Sequence, residues 1–277
     1  FGRHMRRFLC RTSTFNGEMQ SGRIVILAGI LAVGETAQDV KPRAEPPRQA
    51  GWDQEQAAQY LDARMDLWFE QATKLTTGET KTSCVSCHTV VPYALARPAL
   101  RKAMGVIQPT PQEAKLLAEI IRRVEHQDSQ DSLYGTKAEG SRGTEAVLNA
   151  LILAVEDARQ HREQPSDAAR KAFRLLWETQ RSDGGWDWTD FKNEPDESAD
   201  AQYYGAALAA FAVGIAPGLV KSAEASTAGH IEQLRSYLKR EYAIQNLYNR
   251  VWMLLASTRL AGLLSAEQRQ GLLAELQ

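Results

Sequence analysis

The chain has 277 residues, with 33 basic and 34 acidic side chains, a formal net charge of −1, and 43% hydrophobic residues. That composition supplies a core but no basic excess to neutralise phosphates, which argues against nucleic acid and against a polybasic membrane-binding face. With only three cysteines a disulfide scaffold is excluded, and cysteine is left to chemistry.

Residues 1–51 read as a leader and linker. The chain begins with Phe1 rather than Met, as a fragment or translated upstream sequence does. After Met19 and Arg23 comes an apolar run, 24–33, then small residues with a cleavage point after Gly34 and Ala32 at the −3 position. The run is about half the roughly 20 residues of a spanning helix. An export signal is therefore expected; an uncleaved membrane anchor and a short buried helix are the alternatives. Residues 38–51 carry three prolines and alternating charge, the composition of a linker.

Helical periodicity follows almost throughout. Leu61, Met65, Trp68, Ala72 and Leu75 form one apolar stripe, and a helix is predicted over 92–103. Thr110-Pro111 reads as a cap and first helical turn ahead of Leu117, Ile120, Ile121 and Val124. A helix starting near Thr144 carries Val147, Leu148, Leu151, Ile152 and Val155; one starting near Ser166 carries Phe173, Leu176 and Trp177. Residues 204–213 are small and apolar all round, as in a helix packed on several sides. Ile244, Leu247, Val251, Leu254, Leu255 and Thr258 close the series. No stretch alternates with period two, so the predicted class is all-α. An LLxExQ pattern at 175–180 returns at 272–277, which predicts a repeat and a chain truncated within it.

The chemistry-bearing motif is Cys84-Val85-Ser86-Cys87-His88. Two thiols three positions apart reach the two vinyl groups on one porphyrin edge as thioethers, and the next residue brings an imidazole to the iron. Shuffled composition gives the pattern in about 4 of 10,000 cases. A zinc site would need His126 beside His88 to complete a Cys₂His₂ set. A thioredoxin-type pair would need a βαβ setting, and a Cys84–Cys87 disulfide would leave His88 unexplained. The expected cofactor is one covalent haem c, tethered by Cys84 and Cys87 with His88 as axial ligand. Met104 is a candidate sixth ligand and His126 an alternative one. His161 reads as solvated, His230 as part of a polar loop, and Lys81, Arg97 and Arg101 as solvated faces or partners for haem propionates.

Gln180-x-x-x-Gly184-x-Trp186, within QRSDGGWDW, resembles the QW repeat of the squalene–hopene cyclase and prenyltransferase superfamily. The resemblance covers about 140–277 and implies a partial α/α-toroid, in which the glutamine bonds near the next helix start and the tryptophan packs over it. It implies no activity, because the DxDD motif of the cyclases is absent from the 277 residues. Asp183, Asp187 and Asp190 read as turn residues. Asp196, Glu197 and Asp200 read as cavity-lining acids or as helix-capping neighbours of Ser198. CxxCH ahead of a QW-type toroid is similar to a group of exported bacterial proteins with those two features.

The expected organisation is a leader and linker (1–51), a cytochrome c-like haem-binding helical segment (52–130) and a partial toroid (131–277). The expected role is electron transfer in the bacterial periplasm, with a redox protein as partner. The rivals are a haem-dependent oxidoreductase using a toroid cavity for an apolar substrate, and a lipid- or partner-binding toroid with haem as redox or gas sensor.

Overall fold

The computed structural model describes residues 52–77, 79–126 and 138–277; the predicted leader, its cleavage point and the linker lie outside them. Residues Gln54–Gln277 form one compact unit. Its helices are α1 (Gln54–Gln71), α2 (Val90–Ala103), α3 (Pro111–Glu125), α4 (Ala138–Arg159), α5 (Asp167–Glu178), α6 (Gln202–Ile215), α7 (Ala225–Glu241), α8 (Leu247–Ser257) and α9 (Ala266–Glu275). The chain is all-α in class, with one short hairpin, β1 (Lys74–Thr77) and β2 (Thr80–Ser83), between α1 and α2. Among the described residues no helix is long and apolar enough to cross a membrane.

The hairpin departs from the sequence reading. Its two four-residue strands are rich in threonine, whose branched side chain suits a pleated strand, but they carry no apolar alternation to reveal them. The helix starts follow the local chemistry more closely. Thr110 accepts from the Glu113 amide while Glu113 accepts from the Thr110 amide, a capping box with Pro111 in the first turn. Ser265 opens α9 with a second capping box, and the Ser166 and Asn246 side chains accept from the Ala169 and Asn249 amides at the starts of α5 and α8. Each such cap contributes about 1 kcal/mol.

Packing alternates along the chain. α4 packs on α5 and α6, α6 on α7 and α8, and α8 on α9, while α3 backs onto α2, α4 and α5. α6 lies at the centre, with every residue from Tyr203 to Val213 buried, which explains its all-round apolar composition. One core cluster runs from Met65 and Phe69 on α1 to Leu260, Leu263 and Leu264 after α8.

The glycine–tryptophan turn after α5 ties this layer to α7. Gln180 Nε2 donates to the carbonyls of Gly184 (3.1 Å) and His230 (3.2 Å), and its Oε1 meets His230 Nδ1 at 2.6 Å. Gly184 has φ +95, and a Cβ there would stand 2.2 Å from the Gln233 carbonyl oxygen, so the turn approaches α7 as only glycine permits. His230 thus belongs to α7, not to a polar loop, and stacks on Trp177 at 5.3 Å between centroids.

Arg181 and Asp183 close the same turn. Hydrogen bonding from Arg181 holds the Asp183 carboxyl below its usual value; burial acts against this, and the Gly185 amide reinforces it. A depressed carboxyl stabilises the fold above its unfolded pKa, and that contribution is lost as pH falls through the folded value. With both side chains partly exposed, solvent screening keeps the effect small. Asp183→Asn is therefore expected to flatten the fall in urea midpoint below about pH 4; equal acid slopes in the two proteins would remove Asp183 from that role.

Candidate functional site at the Cys-x-x-Cys-His turn

The motif occupies the turn between β2 and α2, and four neighbours fix its entry. The Cys84 amide donates to the Thr73 carbonyl at 3.0 Å, and Trp68 Nε1 donates to the Cys84 carbonyl at 2.8 Å. The Ser83 amide donates to Glu119 Oε2 on α3 at 2.7 Å. Arg123, 2% exposed, donates to Thr82 Oγ1 (3.0 Å) and the Ser83 carbonyl (3.4 Å) while pairing with Glu145 of α4. Within the motif, Ser86 Oγ accepts from the Thr89 and Val90 amides at 3.1 and 3.2 Å. It thereby satisfies donors at the start of α2 that the helix itself leaves open.

Cys84 and Cys87 are buried, reduced thiols, while the His88 side chain is 36% exposed. The wall behind them comes from the loop before α6. Glu197 Oε1 accepts from the Cys87 amide at 3.2 Å and stands 3.4 Å from His88 Nδ1; Asn193 Nδ2 donates to Oε2 at 3.4 Å. Trp68 meets the His88 ring edge-on, at 5.6 Å and 90°. Asp196 accepts from the Tyr248 hydroxyl, and its carbonyl accepts from Trp188 Nε1 at 2.8 Å. Trp188 lies against Gly205 on α6, where a Cβ would come within 2.3 Å of the indole; the bare backbone lets the ring, and the loop it holds, sit this deep.

The two carboxyls titrate in opposite directions. Burial, with Glu197 adding, pushes Asp196 up against the opposing effects of Tyr248 and His88. For Glu197 burial also acts upward, but hydrogen bonding from His88, its charge, the Cys87 amide and Asn193 together hold the carboxyl below its usual value. Burial, then Glu197 and Asp196, push the Cys87 thiol well up. A thiol held neutral in this way is the opposite of the reactive thiolate that nucleophilic or disulfide-exchange chemistry needs.

Comparison with protein families, curated proteins and solved structures finds no match. The site therefore rests on its own geometry.

The structure brings Cys84, Cys87 and His88 together on one turn but does not bring Met104 to them. Met104 caps the far end of α2, whose 14 residues span about 20 Å. His126 is exposed at the C-terminal cap of α3, three residues past Arg123. Among the described residues no group of three or more His, Cys, Asp or Glu is placed to hold a bare metal ion, so the four-ligand zinc arrangement is not assembled.

Arg97 and Arg101 are not solvated. Arg97 is 6% exposed and grips Asp62 through Nε and Nη2, both at 2.9 Å; Arg101, 7% exposed, grips Glu113 at 2.9 Å. Lys81 is exposed. Asp196 and Glu197 are the functional neighbours that sequence reasoning placed second to a capping role. Ser198 makes no side-chain cap bond, and its Oγ is buried without a hydrogen-bond partner beside Glu197. Their i, i+1 spacing in an acidic loop carries no signal of a contact with position 88.

Two thiols on one turn, and an imidazole whose Nδ1 faces a carboxylate, match the donor set of a covalent haem. Were Nδ1 to carry its proton toward Glu197, 3.4 Å away, the uncharged ring would keep its lone pair on Nε2, the nitrogen that binds a metal. A separate cavity of about 30 Å³ lies between α2, α3 and α4, lined by residues including Tyr93, Leu116, Ile152 and Arg159. It has room for a water or two, far less than the 300–1,000 Å³ typical of a pocket for an organic ligand.

Proposed function

We propose that this chain carries one covalent haem c and serves in electron transfer outside the cytoplasm, with a redox protein as partner. Cys84 and Cys87 would hold the macrocycle as thioethers, and His88 would ligate the iron from one side. When bound, the group supplies a one-electron ferric–ferrous couple whose potential the protein sets through ligand, burial and hydrogen bonding. What carries the reading is the pairing of His88 Nδ1 with Glu197 next to two thiols on the same turn. An Nδ1–H turned toward that carboxylate would leave Nε2 for a metal, and burial pushes the Cys87 thiol up, away from the reactive thiolate of disulfide exchange.

The helices from α4 onward read best as part of an α/α-toroid. Support comes from the alternate packing of α4, α6 and α8 and from Gln180, which links the end of α5 to α7 while Trp186 lies fully buried behind it. The export signal expected in 24–33 accords with haem attachment, which takes place outside the cytoplasm.

The test is a pyridine haemochrome spectrum of the chain co-expressed with a cytochrome c maturation system. A two-thioether spectrum that survives denaturation, and disappears in a Cys84→Ala, Cys87→Ala variant, is expected. A chain without covalent haem, made alongside a control cytochrome that matures, would sink the proposal.

A further inference from the structure

We infer that Glu197 is a positioning residue that sets the redox balance of the iron through His88. The inference rests on the haem reading of the Cys84–His88 turn.

Three features make Glu197 more than a passing surface contact. First, its side chain is 10% exposed, and a carboxylate so far out of water is costly unless firmly partnered. Second, its partners are built in: the Cys87 amide at 3.2 Å and His88 Nδ1 at 3.4 Å on one side, Asn193 Nδ2 at 3.4 Å on the other. Third, the loop that delivers it is tied down at each step. The Glu197 amide donates to the Asn193 carbonyl at 2.9 Å, the Phe191 amide donates to the Glu197 carbonyl at 2.8 Å, and Trp188 holds the Asp196 carbonyl at 2.8 Å. Trp68 fixes the other side of the imidazole, edge-on. The ring orientation is thus set by α1 and by a loop 110 positions downstream, not by the motif alone.

A carboxylate accepting from Nδ1–H draws that proton toward itself and raises the electron density at Nε2. A more basic Nε2 stabilises ferric iron more than ferrous iron. One electron added to ferric iron gives ferrous iron, and the proton stays on Nδ1 throughout. Glu197 therefore lowers the reduction potential relative to the same ligand donating to a neutral acceptor, and it places the centre among donors of electrons rather than strong acceptors.

The test is a dithionite-driven spectroelectrochemical titration of the haem-loaded chain and of Glu197→Gln, Glu197→Asp and Asp196→Asn. At the wild-type midpoint the ferrous-to-ferric ratio of Glu197→Gln is expected to rise about tenfold, a shift of about 59 mV for one electron. Glu197→Asp should recover part of the shift. Asp196→Asn, which removes a nearby charge but not the contact, should move the midpoint less than Glu197→Gln. A second readout needs no haem and no variant: ¹⁵N NMR of the full chain made without maturation should find His88 as the Nδ1–H tautomer. An unchanged midpoint in Glu197→Gln, an equal shift in Asp196→Asn, or an Nε2–H tautomer for His88 overturns the inference while leaving the haem reading intact. Failure to attach haem overturns both.

Discussion

Replacing Arg123 by alanine is expected to lower stability by about 3–5 kcal/mol, the usual cost of breaking one side of a buried ion pair, read as a lower urea midpoint at unchanged m. Arg123, on α3, is 2% exposed and spends its guanidinium on two other elements. Nε and Nη2 pair with Glu145 on α4, each at 2.8 Å, and Nη1 reaches Thr82 and Ser83 on β2. Its loss leaves the Glu145 carboxylate, 18% exposed, with Asn149 Nδ2 donating to it at 3.4 Å. A paired Arg123→Met, Glu145→Leu variant should be more stable than the single alanine variant, since removing both charges removes the uncompensated one. A cost of the single change below about 1 kcal/mol, the level of a surface pair, would show that the pair does not join the hairpin to α3 and α4.

Trp186→Ala is expected to cost a similar 3–5 kcal/mol. The indole is 0% exposed, and its Nε1 donates to the Leu176 carbonyl at 2.9 Å, one of the last carbonyls of α5 that the helix cannot satisfy itself. It packs 6.3 Å from Trp177, which in turn stacks on His230 of α7. Removing it opens a cavity between α5 and the turn that grips α7. Trp186→Phe keeps most of the ring but not the N–H, and should cost about 1–3 kcal/mol. Thermal melts of the two variants decide the point: equal losses would mean that the hydrogen bond, not the ring volume, carries the effect.

How far the sequence could be read depended on whether the information was local. The caps at Thr110 and Ser166 could be read from neighbours three positions away, and α6 from its unbroken apolar run. The motif at Cys84, Cys87 and His88 is visible in the sequence because its residues lie within five positions of one another. α7 is hard to read from the sequence because its buried residues, Ile231, Leu234, Tyr237 and Leu238, are few among polar ones, and around His230 that composition reads as a loop. Arg97 and Arg101 looked like solvated residues because nothing near them in the chain pairs with them; their carboxylates, Asp62 and Glu113, come from α1 and α3. Glu197 was obscured for the same reason at greater range, as an acid among several in a loop. Met104, a candidate for its closeness in sequence, stands at the opposite end of α2 from the motif.

The burial of both sulfurs has a consequence for the order in which the protein is made. Cys84 is 7% and Cys87 2% exposed once the turn is backed by Glu197, a residue 110 positions later. Until the distal loop closes over the turn the thiols have no wall behind them, and afterwards both lie inside the fold. A thiol reagent therefore reads the order of these events: labelling falls as the loop closes, and a weakened α6 or a disturbed Trp188 prolongs it.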